Sequence, residues 1–214
     1  MPTISYAVTA CNESVELGRL LEQLSRCADK EDEIVVQVDT ETVTKEVSQV
    51  FQYFKKEHYP NGNLFIVYNY LNKNFANHKN HLKSFCKKDY IFFIDADEYL
   101  SYVLETSLKD LLEDDGGTTD CFLVPRANTV EGLTDEHVAK WGWRVDNRRF
   151  VNWPDYQSRI VKNDSRIRWE GKVHERITGH STYAFLPDDD ETWALHHPKD
   201  IKRQEKQNNF YSSI

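Results

Sequence analysis

The chain has 214 residues, 39% of them apolar and 29% charged, which suits one domain with a sizeable core. A formal net charge of -8, from 35 Asp plus Glu against 27 Lys plus Arg, argues against a dedicated nucleic-acid binder while leaving a local basic groove open. No apolar run is long enough to span a bilayer, and the start, MPTISYAVTACNES, lacks the basic and apolar regions of a signal peptide, so a cytoplasmic location is expected (host cytoplasm for a viral chain).

In chain order, Thr3 to Ala10 is short, apolar and partly β-branched, as a strand should be. Asn12-Glu13-Ser14 then opens a helix whose Leu17, Leu20, Leu21 and Leu24 recur at helical spacing. Glu33 to Val38 is the next strand, and Val43, Val47, Val50, Phe51 and Phe54 mark a second amphipathic helix. Tyr59-Pro60-Asn61-Gly62 breaks that helix. Leu64 to Tyr68 reads as a strand, Phe75 to Cys86 as a helix, Tyr90 to Ile94 as a fourth strand, Leu104 to Leu112 as a helix and Cys121 to Val124 as a fifth strand. Nearly all-apolar strands alternating with helices predict a mostly parallel sheet covered on both faces, with ligands at the carboxyl ends of the strands.

After Pro125 the texture changes. Residues Arg126 to Trp153 show no clean period and read as loops and short elements. Gln157 to Val161 and Ile167 to Val173 look like strands joined by a turn at Asn163-Asp164, and Lys199 to Tyr211 like a closing helix. No repeat or linker divides the chain. Cys11, Cys27, Cys86 and Cys121 include no CxxC pair and are expected as reduced thiols near the core.

The polar residues that follow strands are the ones to inspect. Tyr90 to Leu100, YIFFIDADEYL, ends an apolar strand in Asp95-Ala96-Asp97-Glu98. Two carboxylates two residues apart can face one way in extended chain and hold a hard divalent cation, or they can be a capped strand end. On this stretch alone the two readings stand equal. Asp39 and Asn12-Glu13 follow their strands in the same manner, with turn and cap as the plain alternatives. In Trp169-Glu170-Gly171-Lys172-Val173-His174-Glu175 a strand with a glycine bulge carries a His-Glu pair. The run Asp188 to Glu191 reads as a solvated acidic loop. Trp141 to Phe150, WGWRVDNRRF, is either a packed lid or a surface for stacking a sugar or base.

Taken in order, TACNES (Thr9 to Ser14), VQVDTET (Val36 to Thr42), NFANHKNHLKSFCKKDYIFFIDADEYL (Asn74 to Leu100) and WEGKVHERI (Trp169 to Ile177) resemble a family-2 glycosyltransferase of the GT-A fold, in a bacterial and phage subgroup. The resemblance covers nearly the whole chain and implies one GT-A domain over residues 1–214, with a nucleotide-sugar half at 1–100 and an acceptor-side half at 101–214. It implies a nucleotide-sugar donor, most simply a UDP-sugar, and Mn²⁺ or Mg²⁺. Ala10, Asn12, Glu13 and Asp39 would hold the nucleoside, and Lys79 would lie near the diphosphate. Asp95 and Ala96 would face the ribose or donor sugar. Asp97 would be the metal ligand, joined by His196 or His197, with His196 favoured. Lys199 and Arg203 would sit near the departing diphosphate. Glu175 would be the general base of an inverting transfer, with His174 orienting it or touching the diphosphate. Trp143, Arg144 and Trp169 would belong to the acceptor side. Asp-Thr-Glu-Thr at residues 39–42 departs from the glycine- and serine-rich loop common in the family, which bears on the choice of nucleotide.

Two other readings remain. A nucleotidyltransferase would want a glycine-rich basic loop after the first strand, which Thr9 to Ser14 lacks. A non-catalytic nucleotide-sugar-binding protein would not need Asp97, Glu175 and a late His together. The acceptor is open among surface or lipopolysaccharide glycans, lipid-linked sugars, a protein side chain and a modified nucleobase, with Arg144, Arg148 and Arg149 suited to a phosphate-bearing one.

Overall fold

The four apolar segments of the first half become adjacent parallel strands: β1 (Ile4–Ala10), β2 (Glu33–Asp39), β3 (Leu64–Asn69) and β4 (Tyr90–Asp95), in the spatial order β3-β2-β1-β4. The computed structural model describes residues 1–59 and 62–211. Pro60 and Asn61, on which part of the expected break falls, lie outside the described residues. Every position of β2 is buried, which explains why its sequence does not alternate.

Helices cover both faces. α1 (Ser14–Cys27) buries Leu17, Leu20, Leu21 and Leu24 on the same side as α2 (Lys45–Glu57) and α4 (Tyr102–Asp115). Each of these leucines is 0% exposed and contributes about 1.5–3 kcal/mol of transfer free energy. The opposite face carries α3 (Phe75–Lys83), packed over Ala7, Val35, Ile91 and Phe93.

The second half departs from the expected loops. Residues 121–131 form one long strand, β6 (Cys121–Glu131), followed by α5 (Asp135–Trp141) and β7 (Val151–Lys162). Apolar alternation fails there because Arg126, Asn128 and Asp155 bind one another instead of solvent or core. β7 joins β4 and β6 antiparallel, so the sheet is mixed but mostly parallel. The strand expected over 167–173 is shortened to β8 (Arg168–Glu170), which pairs with β9 (Arg176–Thr178) in a separate ribbon. Gly171, at φ +99°, turns the chain out of β8 through a conformation that residues with a Cβ rarely adopt.

Three short strands gave no sequence signal: β5 (Tyr99–Leu100), β10 (Tyr183–Phe185) and β11 (Leu195–Asp200). β11 lies between β6 and β5, and β10 pairs with the start of β6. The last helix, α6 (Ile201–Tyr211), therefore begins two residues later than expected, and Lys199 belongs to a strand. Among the described residues no helix is long and apolar enough to cross a membrane, and Cys11, Cys27, Cys86 and Cys121 are free, each held high by burial, at about 12 for the first three and about 11 for Cys121.

Gly179 gives a direct test of this arrangement. It sits at φ +84°, and a Cβ there would lie 1.9 Å from the Arg166 carbonyl oxygen. Gly179→Ala is expected to lower Tm by roughly 5–10 °C, a loss of at least about 2 kcal/mol. Gly18→Ala, inside α1 with nothing within 4 Å, is expected to leave Tm unchanged or raise it. Equal melting of the two variants would refute the close approach.

Candidate active site

β1 leads to β2 on one side and β4 lies on its other side, so a crevice opens where the chain leaves β1 and β4. Thr9 and Asp95 are partners in the ladder, the Ala96 N–H donates to the Thr9 carbonyl at 2.9 Å, and the Thr9 hydroxyl donates to Asp95 Oδ1 at 2.8 Å. The two loops that follow, 11–13 and 96–98, are thereby fixed side by side.

What holds acidic residues at the end of an apolar strand is Arg159, from the neighbouring β7. It is 2% exposed, and its Nη2 donates to Asp95 Oδ2 at 3.0 Å and to Glu98 Oε1 at 2.6 Å. Glu98 is fully buried, and its other oxygen accepts the Asp95 N–H at 3.0 Å. Burial alone would raise the Asp95 carboxyl, but the Lys79 and Arg159 cations and the Thr9 hydroxyl outweigh it and hold it well below the usual range. Neither Arg159 nor the structural weight of Glu98 was legible in the sequence.

Asp97 points to the other side of the turn. Its Oδ2 lies 3.3 Å from His197 Nε2 and 3.2 Å from Arg203 Nη2. Burial would raise this carboxyl too, but the hydrogen bond and charge of His197, with the Lys199 ammonium, bring it far below normal. The favoured His196 is placed elsewhere: it stacks on Tyr99 with ring centroids 4.8 Å apart, and Arg19 covers the same Tyr99 ring. The physical reason is strand parity. His196 and His197 are consecutive in β11, so only one can face Asp97, and the strand register gives that place to His197.

A carboxylate oxygen and an imidazole nitrogen converging in this manner suit Mn²⁺ or Mg²⁺ completed by substrate oxygens and water. Among the described residues no three His, Cys, Asp or Glu side chains form a cluster of their own that could hold a metal.

On the α3 side, Lys79 Nζ is 2.7 Å from Glu175 Oε1, 3.9 Å from Asp95 Oδ1 and 4.5 Å above the Trp169 ring. Lys79 thus stands between the expected donor residue and the expected base. Asn74 caps α3, Lys172 O accepts the Phe75 N–H, and the Asn80 amide clamps both backbone groups of Trp169. His174 is exposed at φ +53°, in the turn that brings Glu175 back to Lys79.

The nucleoside residues are placed as follows. Asn12 is exposed and Ala10 buried. The Glu13 carboxylate accepts the N–H groups of Cys11 and Asn12 at 2.8 and 3.1 Å, and Arg203 at 3.2 Å. Asp39 is 1% exposed and accepts Leu71 N–H and the Thr42 hydroxyl, so it ties the loops after β2 and β3 together. Lys199 donates to Gln207 on α6. Trp143 packs on Trp141, and Arg144 is held through its backbone by Asn152, beside the Asn128–Val151 pair of β6 and β7. Arg148 is engaged with Asp146, Glu191 and the rings of Phe150 and Trp153, so Glu191 is not merely a solvated acid.

The comparisons agree with this architecture. The family model described as glycosyl transferase family 2 matches residues 5–176. The chain belongs to that family. Among solved structures, residues 1–349 of S. aureus TarS superpose with a TM-score of 0.60 at 15% identity, covering 92% of this chain and 60% of that one. The same fragment in complex with UDP gives 0.61 at 14%, covering 92% and 60%, and in complex with UDP-GlcNAc 0.60 at 15%, covering 93% and 59%. This family-2 chain therefore spans about 60% of the length of the TarS fragment, and at such identity the likeness speaks for the GT-A fold. Among curated proteins none matches the sequence.

Two consequences are measurable. Arg159→Met removes the cation that Glu98 and Asp95 share, and a loss of about 3–5 kcal/mol in the urea unfolding free energy is expected. A loss below 1 kcal/mol would show that the carboxylates find other partners. Separately, burial pushes His78 of α3 down from 6.5 to about 4 against the attraction of Asp39. The unfolded chain binds this proton before the native one, so stability falls as pH drops from 6.5 to about 4, by up to about 3 kcal/mol. Stability curves of His78→Gln should lose that part of the slope.

Proposed function

We propose that this chain is an inverting, metal-dependent glycosyltransferase that moves a sugar from a UDP-sugar to an acceptor hydroxyl. The observation that carries the reading is the placement of Asp95, Asp97 and His197 at one strand-end crevice, with Lys79 linking Asp95 to Glu175. The TarS complexes with UDP and UDP-GlcNAc support the choice of donor.

In this reading Asp97 and His197 hold Mn²⁺ or Mg²⁺, which when bound offsets charge on the leaving diphosphate. Ala10, Asn12 and Glu13 border the nucleoside, and Asp39 shapes that border by holding its loops. Asp95 and Ala96 face the donor sugar. Lys199 and Arg203 lie on the diphosphate side, where Arg203 now binds Asp97, Glu13 and Glu16. Glu175 takes the proton of the acceptor hydroxyl as its oxygen attacks the anomeric carbon. The bond from that carbon to the diphosphate oxygen breaks on the opposite face, and the diphosphate leaves with the bonding pair. Lys79 keeps the Glu175 carboxylate in register with Asp95 until the acceptor arrives. His174, Trp143 and Arg144 border the acceptor, and Trp169, 6% exposed beneath the Lys79 ammonium, backs that side from the core.

The test is a panel of nucleotide sugars assayed for release of the nucleoside diphosphate with Mn²⁺ or Mg²⁺. Asp97→Asn and His197→Gln are expected to remove the metal-dependent turnover, while His196→Gln retains most of it. Glu175→Gln is expected to lower kcat for transfer by about 10²–10⁴ with donor binding retained. Absence of turnover from every nucleotide sugar, or an Asp97→Asn variant as active as the wild type, would sink the proposal.

A further inference from the structure

The metal side of the crevice is backed by a chain of hydrogen bonds that runs away from it into the sheet. His197 Nδ1 is 2.7 Å from Asn128 Oδ1, and Asn128 Nδ2 donates to Asp155 Oδ2 at 2.8 Å. Asp155 also accepts Arg126 Nη2 at 2.6 Å and Gln157 Nε2 at 2.8 Å. We propose that Asn128, oriented by Asp155, is a positioning residue that fixes the tautomer and the aim of His197. The inference rests on the reading of His197 as a metal-side residue.

The argument follows from donors and acceptors. An ionised carboxylate only accepts, so Asn128 must turn its NH₂ toward Asp155 and its carbonyl oxygen toward His197. A carbonyl oxygen also only accepts, so His197 must carry a proton on Nδ1. The ring nitrogen left facing Asp97 is Nε2, the one required for coordination. Asp155 is able to act so because it stays charged: burial would raise its carboxyl, but the Arg126 cation and the Asn128 amide bring it below normal.

The backbone is arranged to permit this. His197 and Asn128 are direct partners in the β11–β6 ladder, and so share one face. The β6–β7 register shifts between Arg126 and Asn128, where Arg126 opposes Asp155 and Asn128 opposes Val151. Such irregularities re-aim side chains beside active sites. Here the shift is accompanied by both Arg126 and Asn128 reaching a single carboxylate.

The test is Mn²⁺ binding in the presence of UDP, measured by titration and by electron spin-echo spectroscopy of the bound ion. Wild type should show the nitrogen modulation of a coordinated imidazole. Asn128→Ala should bind Mn²⁺ about 10–100-fold more weakly and lose that modulation, while metal-free UDP affinity and Tm stay near wild type. Because Asn128→Ala also leaves Asp155 short of one donor, the ¹⁵N ring shifts of His197 in the metal-free wild type are the second arm, and should report a proton on Nδ1. Wild-type Mn²⁺ affinity in Asn128→Ala, or a His197 ring protonated on Nε2 alone, would overturn the inference. A wild-type protein that binds UDP but no Mn²⁺ would overturn the metal reading itself.

Discussion

The buried guanidinium of Arg159 is the contact on which the site depends. An apolar strand that ends in three carboxylates within four residues is electrostatically costly, because removing ions from water is repaid only by close partners. β7 supplies that partner from the side. Asp95 and Glu98 share one Arg159 nitrogen, and the turn between them is closed by the Glu98 side chain on the Asp95 amide. With both ends of the turn anchored inward, Asp97 is left on the outer side, free to face β11. Arg126 extends the arrangement: it lies 3.5 Å from Glu98 and binds Asp155, so the Asp95 side and the Asn128–His197 side of the crevice share one network of alternating charges.

A second constraint is the position of Lys79. An ammonium that touches Asp95, Glu175 and the face of Trp169 belongs to both halves of the crevice. Any donor group that displaces it from Asp95 also alters what it offers Glu175. Coupling of this type needs no moving domain, because a single side chain stands in both electrostatic fields.

The sequence made the first half legible because buried parallel strands are apolar throughout and their helices keep a strict period, as Leu17, Leu20, Leu21 and Leu24 do. Asp95, Asp97, Lys79 and Glu175 were singled out through the order of their motifs, and the structure brings them to one crevice. What stayed hidden depended on pairing across long separations. Glu98 gave no hint of its burial, since its cation lies 61 residues later. Residues 126–131 looked like loop because Arg126 and Asn128, which reach Asp155 across the sheet, are polar and interrupt any apolar alternation. The choice between His196 and His197 needed the parity of a strand that has no apolar alternation to announce it, LHHPKD.

β11 has one more meaning. It brings His197 to a carboxylate 100 residues earlier, and it lies against a β6 whose other edge is paired with β7. During synthesis, Asp95 at the end of β4 and Asp97 in the turn after it leave the ribosome long before the segment that completes their neighbourhood. Until it docks, the outer edge of β6 beyond β10 is an open row of amides and carbonyls, the kind of edge that invites association with other chains. The fold thus covers this edge of β6 with the same strand that brings His197 to Asp97, so that one docking step closes both.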